Sequence, residues 1–273
     1  MYACPLCQQP LVRQSQQWVC QQLHSFDIAK EGYVNLLPVQ NKRSSNPGDN
    51  AEMMQARRDF LNQGFYYPLV EKLAQILQPL LPTNALLLDL GCGEGYYTEA
   101  LNKILSQTTN ANPHFWGLDI SKTAIRYAAK RDNSIQFSVA SAYKLPFFEN
   151  MFDLVTRIYA PSEMNELLRV IKPGGYLLTV QPGAKHLFEL KQAIYKTPRL
   201  HDEQTAPLDG FKSLAQQALS YPMQFQSDRD LLNLINMTPF GWKLNNEQKP
   251  QLSQTIELVQ ADFLIHLHQK LPQ

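Results

Sequence analysis

Two sets of residues in this chain are suited to binding or reactive work. The first is residues 85–97, Ala-Leu-Leu-Leu-Asp-Leu-Gly-Cys-Gly-Glu-Gly-Tyr-Tyr. The apolar run from Ala85 to Leu88 reads as a fully buried strand. It ends at Asp89, and glycines follow at 91, 93 and 95 before a helical pattern begins near Tyr97. A strand that turns through glycines into a helix brings bare backbone N–H groups up to a ligand. The pattern is Asp-x-Gly-x-Gly-x-Gly; the dinucleotide fingerprint would need a glycine at 96, where Tyr96 stands. A second acid supports a ligand site. His114–Ile120 reads as another buried strand, with Asp119 near its end and Ser121 as the N-cap of the next helix. An acid at the end of the second strand, roughly 20 residues past the loop, is placed to accept hydrogen bonds from ribose hydroxyls. The plainer alternatives are a close-packed turn and an ordinary cap acid.

The second set is Cys4-Pro-Leu-Cys7, Cys20 and His24. Two ligands on a tight turn, a spacer and two more at close spacing suit a tetrahedral Cys3His zinc site. A Cys4–Cys7 disulfide would need a thioredoxin-like context that the neighbouring residues lack. A module of about 35 residues buries too little core to fold alone, and structural zinc supplies roughly 10–16 kcal/mol. The site is therefore expected to be structural, with Trp18 and Phe26 as apolar filling. Cys92, inside the glycine loop, reads as a small packing residue.

These residues need elements to position them. The chain has 273 residues, 44% of them hydrophobic, and a formal net charge of +1. That balance does not announce a nucleic-acid binder, so such a partner would be met by a local patch. No apolar segment reaches membrane-spanning length, and Met1-Tyr2-Ala3-Cys4 lacks the start of a signal peptide, so a soluble intracellular chain is expected. Gln40–Asn50, with Lys42-Arg43 and Asn46-Pro47-Gly48-Asp49, reads as a mobile loop, either a solvated linker or a backbone contact for RNA. Helices are predicted from Asn50 through Leu61, carrying Arg57-Arg58, and from Tyr67 to Leu77. From Ala85 onward, strands at 85–90, 114–120, 135–140, 152–160 and 175–182 alternate with helices near 96–106, 121–131 and 162–171. Lys172-Pro173-Gly174-Gly175 reads as a turn. This spacing predicts parallel strands with right-handed crossovers in an open doubly wound sheet. Ligands in such sheets sit at the carboxyl ends of the strands, which draws attention to Ala140–Tyr143, Arg157–Pro161 and Pro182–His186. Residues 200–273 are less periodic; Asp228–Met237 reads as a helix and Thr255–His268 as a closing antiparallel strand.

The glycine loop resembles that of class I S-adenosylmethionine-dependent methyltransferases, whose ligand has no pyrophosphate. The whole order of motifs is more specific. Cys4-x2-Cys7, Cys20, His24, Ala29-Lys30-Glu31-Gly32-Tyr33-Val34-Asn35-Leu36-Leu37-Pro38, the stretch 46–58 and Leu88–Tyr97 come in sequence. With Arg157–Pro161, Pro182-Gly183 and His186-Leu187, they resemble the bacterial 23S ribosomal RNA (guanine-N1)-methyltransferases, in the form of the Gram-negative branch. The resemblance implies an α/β fold with a Rossmann-like, mostly parallel seven-stranded sheet and a small N-terminal zinc-binding module. It divides the chain into that module (1–36), a loop with N-terminal helices (37–84), the S-adenosylmethionine-binding core (85–200) and a C-terminal completion of sheet and substrate cover (201–273).

It further implies methylation of one hairpin-loop guanine of 23S ribosomal RNA, an N-terminal Zn2+ module for RNA recognition, a homodimer and a cytoplasmic location. A sister branch modifies a neighbouring guanine. The cofactor set is Asp89, Gly91, Gly93, Glu94, Gly95 and Asp119, with Gly32, Tyr33, Tyr66 and His186 added by resemblance. Arg57, Arg58, Tyr159 and Pro161 are the substrate candidates. Many methyltransferases hold the adenine amine with an acid after the third strand; here Ser141 or backbone groups would do so. The base that removes the guanine N1 proton is not assigned by any motif. Two other readings are a small-molecule methyltransferase, against which the zinc knuckle argues, and a non-catalytic RNA-binding protein that senses S-adenosylmethionine.

Overall fold

The computed structural model describes residues 2–38, 50–108, 112–204, 206–245 and 247–272. The predicted loop Gln40–Asn50, including Lys42 and Arg43, lies outside the described residues apart from Asn50. The chain opens with three short strands, β1 (Val12–Gln14), β2 (Gln17–Val19) and β3 (Ser25–Asp27), which form a small antiparallel sheet. β4 (Val34–Asn35), α1 (Ala51–Asn62) and α2 (Tyr67–Leu77) lead into the core. The core continues with β5 (Leu86–Leu90), α3 (Tyr96–Thr108), β6 (His114–Asp119), α4 (Lys122–Arg131), β7 (Gln136–Val139), β8 (Phe152–Ile158), α5 (Met164–Val170), β9 (Ile171–Pro182) and α6 (Phe188–Ile194). The last elements are β10 (Phe211–Gln224), α7 (Asp228–Met237), α8 (Gln248–Ser253) and β11 (Leu258–Lys270). No described helix is long and apolar enough to cross a membrane.

The large sheet has the order β10-β11-β9-β8-β5-β6-β7-β4. Pairs from β4 to β9 are parallel, and β11 and β10 close the far edge antiparallel. β5 and β8 are neighbours although β6 and β7 intervene in sequence, so the chain reverses direction across the sheet there. That reversal opens a crevice at the strand carboxyl ends. The resemblance predicted seven strands; eight are present among the described residues, because Val34–Asn35 adds a short parallel edge beside β7.

Burial on both faces explains the unbroken apolar run of β5. Alternation sends Leu87 into the cluster beneath α2, α3 and α4, and Leu88 into the opposite one. The first cluster gathers Leu69, Leu73, Leu77, Leu101, Ile125 and Ala128 against Phe115, Phe137 and Phe263. The second receives Leu167 and Val170 of α5, and also Tyr2, Leu11 and Cys20 of the N-terminal module. Side-chain caps fix several helix starts: Asn50 Oδ1 accepts from Met53 N at 2.8 Å, and Ser121 Oγ from Ala124 N at 3.2 Å.

Two departures from the sequence reading have physical causes. The predicted turn Lys172–Gly175 lies within β9, where Phe152 pairs with Ile171 but Leu154 with Tyr176, so the residues between bulge out of the ladder. β10 was not foreseen. Its residues are half-buried or exposed over most of its 14 positions, so no apolar alternation marks it.

The loop between β5 and α3 is held by close packing. Gly95 has φ +85°, and a Cβ there would lie 2.8 Å from Ala128 Cβ and 2.9 Å from Ala128 Cα. Gly93 has φ +56° and open space around the same position. Gly95→Ala is therefore expected to cost on the order of 2–4 kcal/mol of stability. Gly93→Ala should cost only about 1–2 kcal/mol. Urea unfolding of the two variants beside the parent protein measures the difference, and equal losses would contradict it.

Candidate active site and metal centre

The carboxyl ends of β5, β6, β7, β8 and β9 surround a cavity of about 780 Å3, inside the roughly 300–1,000 Å3 range of ligand pockets. Asp89 at the end of β5 forms its floor and is buried. Thr98 of α3 donates to Asp89 Oδ2 at 2.5 Å and Thr156 of β8 donates to Oδ1 at 3.0 Å. Burial still dominates and pushes the carboxyl up to about 6. Beyond it, Gly91 crosses so near the β8 loop that a Cβ would sit 2.4 Å from Ala160 Cβ. Asp119 at the end of β6 accepts from Gly93 N at 3.0 Å and from Ser121 N at 2.8 Å, which aims its carboxylate across the glycine loop. Glu94 is 1% exposed, and its Oε2 accepts from Arg131 Nε at 2.6 Å. Its other oxygen is buried with no hydrogen-bond partner among the described residues.

The opposite end of the cavity is aromatic and basic. Tyr159 follows β8 with φ 55°, a left-handed conformation that turns a 45% exposed ring into the opening. Its ring lies 6.0 Å from that of His186, and Pro161 also lines the wall. His186 is held on both sides. Its Nδ1 accepts from Asp262 N at 3.2 Å, which leaves the ring proton on Nε2, 3.4 Å from Tyr66 Oη. Burial, with the nearby His201 and Lys191 adding to it, brings its pKa down to about 3, so the imidazole is neutral. Met54 and Arg57 of α1, Lys191 of α6, His201 and Phe240 also line the cavity.

Most of the sequence candidates meet here. Tyr66, Asp89, Gly91, Gly93, Glu94, Asp119, His186, Arg57, Tyr159 and Pro161 all line the cavity. Four do not. Gly95 packs under α4, as described above. Arg58 lies over the Tyr127 ring at 4.2 Å and 3.9 Å from Glu94, so it braces the wall from behind. Gly32 makes a tight turn whose N–H donates to Ala29 O, and Tyr33 is buried in the core beside it. Neither Gly32 nor Tyr33 is part of the cavity wall. Ser141 reaches the wall, but its Oγ accepts from Tyr143 N at 3.2 Å. His201 and Lys191 were missed because they fall in stretches with no periodic pattern or motif to draw attention to them.

The four N-terminal residues converge. The ligand atoms of Cys4, Cys7, Cys20 and His24 lie within 4.8 Å of one another. Cys7 Sγ is 3.6 Å from Cys20 Sγ, and His24 Nδ1 is 3.5 Å from Cys4 Sγ and 3.4 Å from Cys20 Sγ. A tetrahedral zinc with sulfur at ~2.3 Å and nitrogen at ~2.0–2.1 Å spaces its ligand atoms about 3.5–3.8 Å apart. The donor set and the spacing fit a closed, structural Zn2+. Two tight turns hold the ligands: Gln8 N donates to Cys4 O, and Leu23 N to Cys20 O. The module sits on the sheet through Tyr2, whose ring meets Trp18 at 5.2 Å, Trp116 at 5.0 Å and Phe147 at 5.6 Å. Its first knuckle lies beside a residue of the cavity wall. Pro5 and Gln8 share a niche with Ser141 and Lys144, and Ser141–Tyr143 form a cavity wall on the other side.

Comparison with known proteins covers both parts. Residues 2–45 match the zinc-ribbon family described as RlmA, N-terminal, and residues 83–230 match a methyltransferase-domain family. YxjB of Bacillus subtilis (strain 168), which carries a provisional 23S rRNA (guanine-N1)-methyltransferase name, is 30% identical over 97% of this chain and 94% of its own. The 23S rRNA (guanine(748)-N1)-methyltransferase of Streptomyces fradiae is 32% identical over 88% of this chain and 85% of its own. A demethylmenaquinone methyltransferase of Bacillus licheniformis is 30% identical, but over only 42% of this chain and 52% of its own.

The metal and the aromatic contacts belong to one cluster, since Cys4 and Cys20 pack with Tyr2, Trp116 and Phe147. Chelation is expected to unfold the module and expose Trp18 and Trp116, seen as a red shift in tryptophan emission with loss of one equivalent of zinc. Emission unchanged after complete zinc removal would show that the module holds its shape without the metal.

Proposed function

The chain belongs to the 23S rRNA (guanine-N1)-methyltransferase family, and from that membership we propose that it methylates N1 of one hairpin-loop guanine in 23S ribosomal RNA with S-adenosylmethionine. The geometric observation that supports the reading is that the zinc knuckle and the cavity meet through Ser141: Ala142 and Tyr143 line the cavity beside it, and Lys144–Pro146 line the niche shared with Pro5 and Gln8. In this reading the ribbon holds the nucleic acid beside the cavity. The likeness to a quinone methyltransferase, confined to less than half of the chain, accounts for the core alone. That contrast supports RNA rather than a small aromatic acceptor.

S-adenosylmethionine supplies an activated methyl group on a sulfonium, so the work left to the protein is binding and alignment. Asp119 is placed for the ribose hydroxyls, the backbone of Gly91–Gly93 for close approach, and the unpartnered Glu94 oxygen for a further donor of the ligand. Tyr159 and Pro161 line the place where a looped-out guanine enters. Stacking of a base on an aromatic ring is worth roughly 1–3 kcal/mol, which offsets the few kcal/mol needed to extract it. Arg57 faces the same opening and offers positive charge to the backbone. Assembly as a homodimer and action in the cytoplasm, where ribosomes are built, belong to the same proposal.

The reading is tested on RNA. Reverse transcription across 23S ribosomal RNA stops at N1-methylguanine, because the methyl blocks base pairing. Deletion of the gene is expected to remove one such stop, and the purified protein with labelled S-adenosylmethionine to restore it. An unchanged stop pattern, or methyl transfer to quinones rather than RNA, would overturn the assignment. The position of the lost stop also names which of two neighbouring guanines is the target. For the cofactor site, Asp119→Ala is expected to weaken S-adenosylhomocysteine binding by about 10–100-fold, as loss of charged hydrogen bonds implies. Calorimetric titration measures this, and unchanged affinity would remove Asp119 from the site.

A further inference from the structure

Methylation at guanine N1 needs the N1 proton to leave, and the cavity holds few groups able to take it. Among the acids, Asp89 is occupied by Thr98 and Thr156, Glu94 is paired with Arg131 through one oxygen and keeps the other for the cofactor, and Asp119 is fixed by Gly93 N and Ser121 N. All three cluster around the glycine loop and act on the Cys92 thiol within it. The Cys92 thiol is buried beside those acids and is held protonated. At the Tyr159 end, His186 has its Nδ1 filled by Asp262 N–H, so it offers only a donor. Lys191 donates from Nζ to Arg199 O at 3.1 Å. What remains is His201. Its backbone N–H is anchored on Ala184 O at 3.0 Å, its ring lies 6.3 Å from His186, and it lines the cavity.

We propose that His201 is the general base of the reaction, accepting the guanine N1 proton at the mouth of the Tyr159–His186 pocket. This rests on the methyltransferase reading above. The N1–H bond breaks toward the imidazole, and the freed N1 lone pair forms the N–CH3 bond. The electron pair of the broken C–S bond stays on sulfur as a neutral thioether, and His201 passes its proton to solvent.

The surroundings of His201 keep it in the accepting form. Burial lowers its pKa first and the charge of Lys191 from α6 adds to that, while the His186 carbonyl and the Asp262 carboxylate from β11 oppose them. The net shift is downward from 6.5. The imidazole is thus neutral and able to accept above that lowered value, and activity should fall as pH drops through it.

The test uses the zinc-loaded full chain and a 23S hairpin transcript at saturating S-adenosylmethionine. His201→Gln is expected to lower kcat by about 10²–10⁴-fold with S-adenosylhomocysteine affinity retained. The acid limb of the parent pH profile should disappear in this variant, and imidazole in solution should restore part of the activity of His201→Ala. A kcat for His201→Gln within about threefold of the parent, persistence of the acid limb, or absence of imidazole rescue would overturn the assignment. Were the parent itself inactive on every 23S transcript, the failure would lie in the methyltransferase reading instead.

Discussion

The buried carboxylate of Asp89 is the tie on which the site depends. It receives hydroxyl bonds from Thr98 on α3 and Thr156 on β8, so one side chain joins the end of one strand to the next helix and to the neighbouring strand. β5 and β8 are the two strands between which the sheet reverses its order. That tie adds a side-chain link to the parallel ladder between those strands. With it, Gly91 is held against Ala160 at a separation that admits no side chain. A buried carboxyl carries a desolvation penalty, visible in its raised pKa. Two hydroxyl donors reduce that penalty while fixing the geometry, which is why hydrogen-bonded acids persist in cores.

The other face of the sheet shows a different constraint. Doubly wound sheets ordinarily cover both faces with helices. Here α5 covers part of the second face, and the zinc module covers the part beneath β5, β6 and β7 with Tyr2, Leu11 and Cys20. The module is too small to be stable by burial alone. Metal ligation and docking therefore support each other: the four ligands close the turns, and the sheet supplies the apolar surface they lack. Ala3 N donates to Pro146 O, and Tyr2 bridges to Phe147, so the docked strand runs along the segment that ends beside the cavity. Loss of metal would be felt at the cavity wall through that contact.

How much of this could be seen in the residues depends on whether a local pattern carried the information. The β5–loop–α3 unit was legible because buried apolar residues, strand-end acid and glycines lie next to one another in the chain. The Ser121 cap and the Tyr67–Leu77 helix were legible for the same reason. β10 was not, because an edge strand exposed along one face needs no apolar alternation, and its partner β11 carries the burial for both. Arg58 reads from sequence as a substrate candidate on a helix, yet its contacts are with Tyr127 and Glu94, which reach it only through the tertiary fold. Gly32 and Tyr33 were drawn into the cofactor set by resemblance, and the structure places them in a turn and in the core. Proximity in space between distant segments is what the linear pattern withholds.

The same limitation hides the charge arrangement of the cavity, which only the fold assembles. Asp89, Glu94 and Asp119 come from β5, the glycine loop and β6 and stand at one end. Lys191 and the neutral His186 come from α6 and the turn after β9 and also line the cavity, and Arg57 of α1 lies near enough to Glu94 to act on its charge. A cationic sulfonium ligand is attracted by the first group and a polyanionic RNA by the second. Asp89 and Asp119 are pinned by hydroxyl and backbone donors and Glu94 by a guanidinium on one oxygen, and its other oxygen is buried. His186, kept neutral by burial, is a hydrogen-bond donor that adds no net charge. A site that must bring a cation and a polyanion together has to offer each of them groups of the opposite sign, and this cavity wall carries both.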